Sequence, residues 1–150
     1  MKFEIPAAMK AEHDELHADL VKATKAGGDT GEAAKALARV LHGHFVGEEE
    51  FAMPPLGLLQ SLASGAVTPD MADVLKMTDR LEAEMPKMMA EHRAITAALD
   101  ALIAAARKEA KPELEAFAKR LKLHAQAEEQ LAYPASILVG RYVKQILARA

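Results

Sequence analysis

The feature that most limits how this 150-residue chain can fold is a pattern of histidine and glutamate that occurs twice. Each copy has one histidine, then a second histidine about thirty residues later, and a glutamate four positions beyond that. The six residues are His13, His44 and Glu48 in the first copy and His92, His124 and Glu128 in the second. The copies are offset by 79 residues at the first histidine (92 minus 13) and by 80 at the second (124 minus 44). The pattern predicts two similar halves related by a pseudo-two-fold axis.

The composition favours an all-α fold. Hydrophobic residues make up 51% of the chain and charged residues 27%, which is typical of a globular protein. Aromatic residues account for only 4% and tryptophan is absent, so the core must consist mainly of leucine, alanine, isoleucine, valine and methionine. Most of these residues favour helices, and no alternating β-type run occurs. We expect one domain over residues 1–150.

Proline and glycine residues divide the chain into four principal helices and two short accessory helices. The predicted helices span residues 6–26, 29–51, 56–63, 69–109, 112–133 and 136–149. Pro54 and Pro134 are expected to end two of them, and Asp29 or Thr30 to cap the second. Pro86 is expected to kink or split the long helix in which it lies. This order predicts an up-down four-helix bundle.

Charge and residue usage exclude several functions. The net charge of −3 and the lack of a basic block argue against a nucleic-acid partner. No apolar run approaches the roughly 18 residues needed to cross a membrane, and the N-terminus lacks the apolar core of a signal peptide. Without cysteine the chain has no disulfides, no thiolate catalysis and no cysteine-ligated metal. We therefore expect a cytoplasmic protein that binds neither nucleic acid nor membrane.

Helical spacing places all six repeated residues toward the core. Residues four apart differ by about 40° around a helix, so each glutamate shares a face with the histidine before it. The two stripes are Leu37, Leu41, His44, Glu48 and Phe51, and Phe117, Leu121, His124, Glu128 and Leu131. His13 shares a face with Leu16 and Leu20, and His92 with Ile95 and Leu99. Each principal helix thus offers one inward histidine.

Burying these groups requires a partner. A buried carboxylate without one costs several kcal/mol or becomes protonated. Two metal ions would remove this cost if each took two imidazoles and the two carboxylates bridged them. Imidazole with carboxylate suits iron, manganese or zinc. We expect iron, because a two-fold, carboxylate-bridged arrangement in a helical bundle is typical of di-iron sites.

The order and spacing of the six residues resemble the hemerythrin-like (HHE cation-binding) family over essentially the whole chain. The resemblance implies a hemerythrin-like up-down bundle with a non-haem di-iron centre. The cofactor it implies is two iron ions, Fe2+ or Fe3+, bridged by carboxylate and by oxo or hydroxo groups.

Two positions depart from the oxygen-carrying members of that family. Those members have His-x-x-x-His on the third helix, where this chain has Thr96 four residues after His92. Their fourth-helix acid lies five residues after its histidine, whereas Glu128 lies four residues after His124. The set is similar to that of iron-centre-repair proteins and iron-sensing domains. Fewer histidines leave coordination positions open, which favours reaction with nitric oxide or peroxide, or exchangeable iron, over reversible oxygen carriage.

Other histidines and glutamates lie near the predicted ligands. His17 shares the face of His13 and could supply a fifth imidazole, act behind a ligand, or lie on the surface. His42 lies about 200° from His44 and is expected on the surface. Four glutamates could support ligand histidines, although a solvated face is the expected position: Glu12, Glu49, Glu91 and Glu129.

These observations leave two classes of function open. The leading hypothesis is a di-iron protein that binds or turns over dioxygen, nitric oxide or peroxide in oxidative or nitrosative stress or in iron homeostasis. The alternative is an iron or oxygen sensor, an iron donor, or an oxygen-binding protein without turnover, and a sensor would need a protein partner that the sequence does not identify. A ferritin-like oxidase is disfavoured because no histidine has a glutamate three residues before it. The pattern does not decide whether the protein is an enzyme.

Overall fold

The computed structural model describes residues 1–150 and contains six α-helices and no β-strand. The helices are α1 (Ala7–Thr24), α2 (Gly28–Gly47), α3 (Leu59–Ala63), α4 (Val74–Lys108), α5 (Pro112–Ala127) and α6 (Tyr133–Leu147). Two π-helical segments, Glu48–Ala52 and Glu128–Ala132, directly follow α2 and α5. Two 3-10 turns span Pro54–Leu58 and Pro69–Asp73. The predicted all-α class is confirmed.

Helices α1, α2, α4 and α5 form the predicted four-helix bundle. In it, α2 packs against α1 and α4, and α5 packs against α4 and α1. Leucines at helical spacing from all four helices fill its interior, including Leu16, Leu37, Leu99 and Leu121. Helix α6, α3 and the 3-10 turns cover one end of the bundle around Val139. The metal-ligating candidates therefore lie between a leucine core and this cover. None of the helices is both long enough and apolar enough to span a membrane.

The N-terminus of α2 is capped by the other half of the chain. The carboxylate of Glu109, just after α4, accepts hydrogen bonds from the backbone N–H of Asp29 (3.2 Å) and of Thr30 (2.7 Å), and from the Thr30 hydroxyl. The Thr30 hydroxyl and backbone N–H lower the pKa of Glu109 from 4.5 to about 2. Gly28 has φ +61°, and a Cβ there would overlap the Glu109 carboxylate. The expectation that Asp29 or Thr30 caps α2 is therefore wrong: no local side chain does so.

Two prolines do not interrupt the helices as the sequence predicts. Helix α4 continues through Pro86, so the predicted split does not occur. The carbonyl of Glu82 loses its helical partner there, but both residues are exposed and water can replace it. Pro134 does not end a helix either, because it lies in the first turn of α6, where a proline has no helical hydrogen bond to lose.

Candidate metal centre

The six repeated residues meet inside the bundle. The four principal helices each contribute one histidine, and the glutamates begin the two π-helical segments: His13 on α1, His44 on α2, His92 on α4, His124 on α5, with Glu48 and Glu128 after α2 and α5. Five of the six are at most 3% exposed, and the side chain of His124 is 9% exposed. The predicted inward orientation is observed for all six.

Each ligand-candidate glutamate starts a π-helical turn at the same point of the repeat. In the first, the N–H of Met53 donates to the carbonyl of Glu48 over 2.9 Å. In the second, the N–H of Tyr133 donates to the carbonyl of Glu128. A π turn contains an additional residue, and such turns occur frequently at functional sites. The widened turn begins at the carboxylate, so the four-residue spacing from the histidine remains α-helical.

The inward-facing atoms form two overlapping groups. In the first, His44 Nε2 lies 2.7 Å from Glu48 Oε1 and 2.8 Å from His92 Nε2. In the second, Glu128 Oε2 lies 3.3 Å from His13 Nε2 and 3.2 Å from His124 Nε2. The ligand atoms of each group lie within 4.8 Å of one another, and Glu128 belongs to both groups. The chain thus pairs His44 with His92 and His13 with His124.

Both carboxylates turn one oxygen toward each histidine pair. Glu48 directs Oε1 toward His44, while its Oε2 lies 3.3 Å from His13 Nε2. Glu128 directs Oε2 toward the other pair, while its Oε1 lies 3.6 Å from His92 Nε2. This orientation is the one in which a carboxylate can contact two cations at once.

Carboxylates on neighbouring helices hold the outer nitrogens of the histidines. His44 Nδ1 lies 2.7 Å from Glu91, and His92 Nδ1 lies 2.8 Å from Glu129. Such a partner fixes the ring orientation and places the proton on Nδ1. The expected solvated role of Glu91 is therefore incomplete, since its carboxylate is only 26% exposed and contacts a buried histidine.

The same arrangement recurs in the other histidine pair. Glu12 contacts His124 Nδ1, and Glu49 lies 3.7 Å from His13 Nδ1. Glu12 and Glu91 thus correspond across the repeat, although Glu12 was also expected on a solvated face. Glu49 lies farther from its histidine than the other three glutamates do, and it accepts a hydrogen bond from Lys10 at 3.1 Å instead.

The donor set fits a metal cation. With Nδ1 facing a carboxylate, Nε2 presents a lone pair to the interior, where Glu48 and Glu128 add only acceptors. Two of these atoms, Glu48 Oε2 and His124 Nε2, are fully buried and have no hydrogen-bond partner. His124 Nε2 lies 3.2 Å from a Glu128 oxygen, but without hydrogen-bond geometry. Converging acceptors of this kind are stabilised by a cation, and imidazole with carboxylate suits iron, manganese or zinc.

The pKa values also reflect this clustering. Burial opposes protonation of His13, but the nearby carboxylates of Glu128 and Glu48 outweigh it and raise its pKa to about 10. Burial likewise opposes ionisation of Glu48, yet His13, His44 and His92 hold its pKa well below its ordinary value. The cluster therefore holds positive charge strongly. A metal cation would take the place of the protons, so metal affinity should fall as pH decreases.

Tyr133 is part of the site; the sequence suggested that it could line the pocket but did not place its hydroxyl there. Its hydroxyl donates to Glu48 and lies 2.9 Å from His92 Nε2 and 3.2 Å from His44 Nε2. Burial and the charge of Glu48 raise the pKa of Tyr133, which keeps its proton in place. Its repeat equivalent is Met53 (133 minus 80), which has no hydroxyl. The two histidine pairs therefore differ chemically.

His17 and His42 lie outside both groups. Both are exposed, as predicted for His42. The His17 ring centroid lies 6.5 Å from that of Phe45. Both histidines line a polar cleft of about 260 Å³ that also contains Lys10 and Glu49 and reaches the edge of His13.

The family comparison agrees with the geometry. The family model described as the hemerythrin HHE cation-binding domain matches residues 4–136. The chain belongs to this family. A search of curated proteins and a search of solved structures found no match. The family is described as a cation-binding domain. In this chain the buried histidine–glutamate cluster is where a metal could be held. The predicted resemblance is confirmed.

Proposed function

We propose that the protein is a non-haem di-iron protein that binds or reacts with dioxygen, nitric oxide or peroxide, in oxidative or nitrosative stress or in iron homeostasis. The observation that carries the proposal is the orientation of Glu48 and Glu128, which each direct one oxygen toward each histidine pair. A single-metal site would need only one such group. Two groups that share their carboxylates support two ions.

The proposed ligands follow from the two groups. His44 and His92 would hold one ion, and His13 and His124 the other, with Glu48 and Glu128 available to both. These residues would leave room at each ion for a small ligand. When bound, the iron ions supply open coordination positions and electrons for a small ligand.

The side chains around the ligands orient them and keep a proton at the site. Glu91 and Glu129 hold His44 and His92 by their outer nitrogens, which fixes where the inner nitrogens point. The Tyr133 hydroxyl remains protonated within hydrogen-bond distance of the same pair. Its single proton is donated to Glu48, so the hydroxyl holds that carboxylate in the orientation that faces both histidine pairs.

Metal analysis of protein expressed with sufficient iron tests the centre. We expect about two iron ions per chain and near-ultraviolet charge-transfer bands in the oxidised protein. His17→Ala should leave the iron content unchanged, because His17 is exposed and belongs to neither group. Fewer than about one ion per chain would refute the two-ion site.

Spectra under oxygen, nitric oxide and peroxide separate the possible activities. A spectrum that forms in air and reverses when oxygen is removed would support carriage. Rapid autoxidation with consumption of nitric oxide or peroxide would support turnover. Iron that passes readily to a competing chelator would favour an iron donor instead.

A further inference from the structure

His13 differs from the other three candidate-ligand histidines at its outer nitrogen. Those three each have a glutamate carboxylate within hydrogen-bond distance of Nδ1. The nearest carboxylate oxygen to His13 Nδ1 is Oε1 of Glu49, at 3.7 Å. His13 is therefore the one histidine of the site that no carboxylate holds by a hydrogen bond at Nδ1.

Lys10 engages the carboxylate that would otherwise hold His13. Its Nζ atom lies 3.1 Å from Oε1 of Glu49, the same oxygen that faces His13. It also donates to Asp14 at 2.7 Å, one turn further along α1, which keeps the ammonium in place. The hydrogen bonds with Asp14 and Glu49 raise the pKa of Lys10, so the ammonium stays charged at neutral pH. The Glu49 oxygen is thus drawn toward Lys10 and away from His13.

The other half of the repeat has no such lysine. The position equivalent to Lys10 is Met89 (89 minus 10 is 79), and the position equivalent to Asp14 is Arg93. Glu129, which corresponds to Glu49, forms an ion pair with its histidine at 2.8 Å and with no lysine or arginine. The weak hold on His13 therefore coincides with a side chain that only the first half carries.

A lysine near a glutamate does not by itself release a histidine. Lys87 lies 3.8 Å from Oε1 of Glu91, yet Oε2 of that glutamate remains 2.7 Å from His44 Nδ1. There the lysine and the histidine face different oxygens. Lys10 and His13 instead compete for one oxygen of Glu49, and the lysine is the closer of the two.

The outer contact bears on how strongly each histidine would bind a metal. A carboxylate at Nδ1 fixes the ring orientation and raises the basicity of the inner nitrogen, and losing such a contact typically costs about 10–100-fold in metal affinity. The polar cleft also brings solvent to Lys10, Glu49 and the edge of His13. The histidine pair that contains His13 is therefore expected to bind its ion less tightly than the pair of His44 and His92.

We propose that Lys10 is a positioning residue that holds Glu49 away from His13 and thereby makes the metal position of His13 and His124 the first to release its ion. This inference rests on the proposed two-ion centre. It adds which of the two ions exchanges and which side chain controls the exchange. The position formed by His44 and His92, where both outer nitrogens are held, retains its ion longer.

Iron release to an excess of a chromophoric chelator tests the role of Lys10. The wild type should release about one ion per chain in a fast phase and the other in a slow phase. Lys10→Met gives the first half the residue of the second and frees Glu49 to contact His13, so the fast phase should become about tenfold slower. Lys10→Arg keeps a cation beside Glu49 and should release iron as the wild type does.

Two further variants separate the contact with His13 from a general effect of charge. The double variant Lys10→Met/Glu49→Ala should regain fast release, because no carboxylate is left to hold His13. Lys87→Met is the matched control and should release iron as the wild type does, since Glu91 already holds its histidine. The inference is overturned if Lys10→Met releases iron as fast as the wild type, or if the double variant stays slow.

Histidine ring signals test the contact independently of iron chemistry. In zinc-loaded protein labelled with nitrogen-15, the Nδ1–H proton of His13 should exchange rapidly with water in the wild type. In Lys10→Met it should exchange slowly, because a hydrogen bond to Glu49 then protects it. Unchanged exchange in Lys10→Met would refute the role of Lys10 while leaving the proposed function intact. If both metal experiments give the expected results but the iron-loaded protein reacts with no small ligand, the proposed function fails and the role of Lys10 stands.

Discussion

The glutamates behind the histidines should contribute unequally to metal affinity, and Glu129→Ala is the sharpest test. Glu129 lies 2.8 Å from His92 Nδ1 and its side chain is 32% exposed. Hydrogen bonds to charged groups contribute about 1.5–3 kcal/mol, and partial exposure favours the lower value. The expected loss of metal affinity is therefore roughly tenfold, at the low end of the range for such partners.

Glu49→Ala is the matched comparison across the repeat. Glu49 lies 3.7 Å from His13 Nδ1, beyond hydrogen-bond distance, and is engaged by Lys10. We expect less than about a threefold loss, in keeping with an exposed ion pair. Glu50→Ala is the control, because the exposed Glu50 carboxylate pairs with Arg80 and not with a histidine.

Competition with a chromophoric chelator at fixed pH measures the affinity, and far-ultraviolet circular dichroism confirms that each variant remains helical. The reasoning fails if Glu49→Ala loses as much affinity as Glu129→Ala. It also fails if Glu129→Ala binds metal as tightly as Glu50→Ala.

Three further predictions follow from the structure. His44→Ala should lower the metal content per chain measured by elemental analysis, whereas His42→Ala should not; equal losses would contradict the face assignment. Tyr133→Phe should lower the free energy of unfolding of the metal-loaded protein by about 1–3 kcal/mol, since buried Glu48 loses a donor, and an unchanged urea midpoint would contradict this. Glu109→Gln should destabilise the protein at pH 7. The folded pKa of Glu109 lies below its ordinary value, so its contribution is present above about pH 4.5 and fades as the pH falls toward 2; urea titrations should therefore converge at low pH.

The inward orientation of the six histidines and glutamates could be predicted from the sequence because it depends on local periodicity. His44 and Glu48 lie within one helical turn, so their shared face follows from helix geometry alone. Their position in a leucine stripe then determines that they face the core. The bundle follows from the same stripes, which explains why fold class and inward residues agree with the structure.

The sequence could not predict which residues after the two glutamates are buried, because that depends on how far α4 extends before the part that matches α1. Phe51 and Leu131 occupy equivalent positions, yet only Phe51 has the early part of α4 above it, and the prediction of Leu131 in the core stripe is wrong because its side chain is exposed. The repeat gave no sign of this difference, since Pro86 was expected to interrupt the helix that provides the cover. The position of the Tyr133 hydroxyl could not be predicted either, because its repeat equivalent is Met53 and the repeat offers no matching polar residue.

The glutamates that contact the outer nitrogens of the histidines could be predicted only in part. Glu91 was recognisable as a candidate, but its contact is with His44 on α2 and not with its neighbour His92. Helix periodicity describes one helix at a time. Contacts that cross from α4 to α2 depend on the distance and rotation between helices, which the sequence pattern does not fix.

Each histidine pair draws one member from each half of the chain, and this determines the molecularity of metal binding. The turn around Gly65 is exposed and separates the halves. A chain cut there would leave His13 and His44 on one fragment and their partners His92 and His124 on the other. Completing either histidine pair would then become a reaction between two molecules, and dilution alone would separate its members. In the intact chain the connecting turn makes the same reaction independent of concentration.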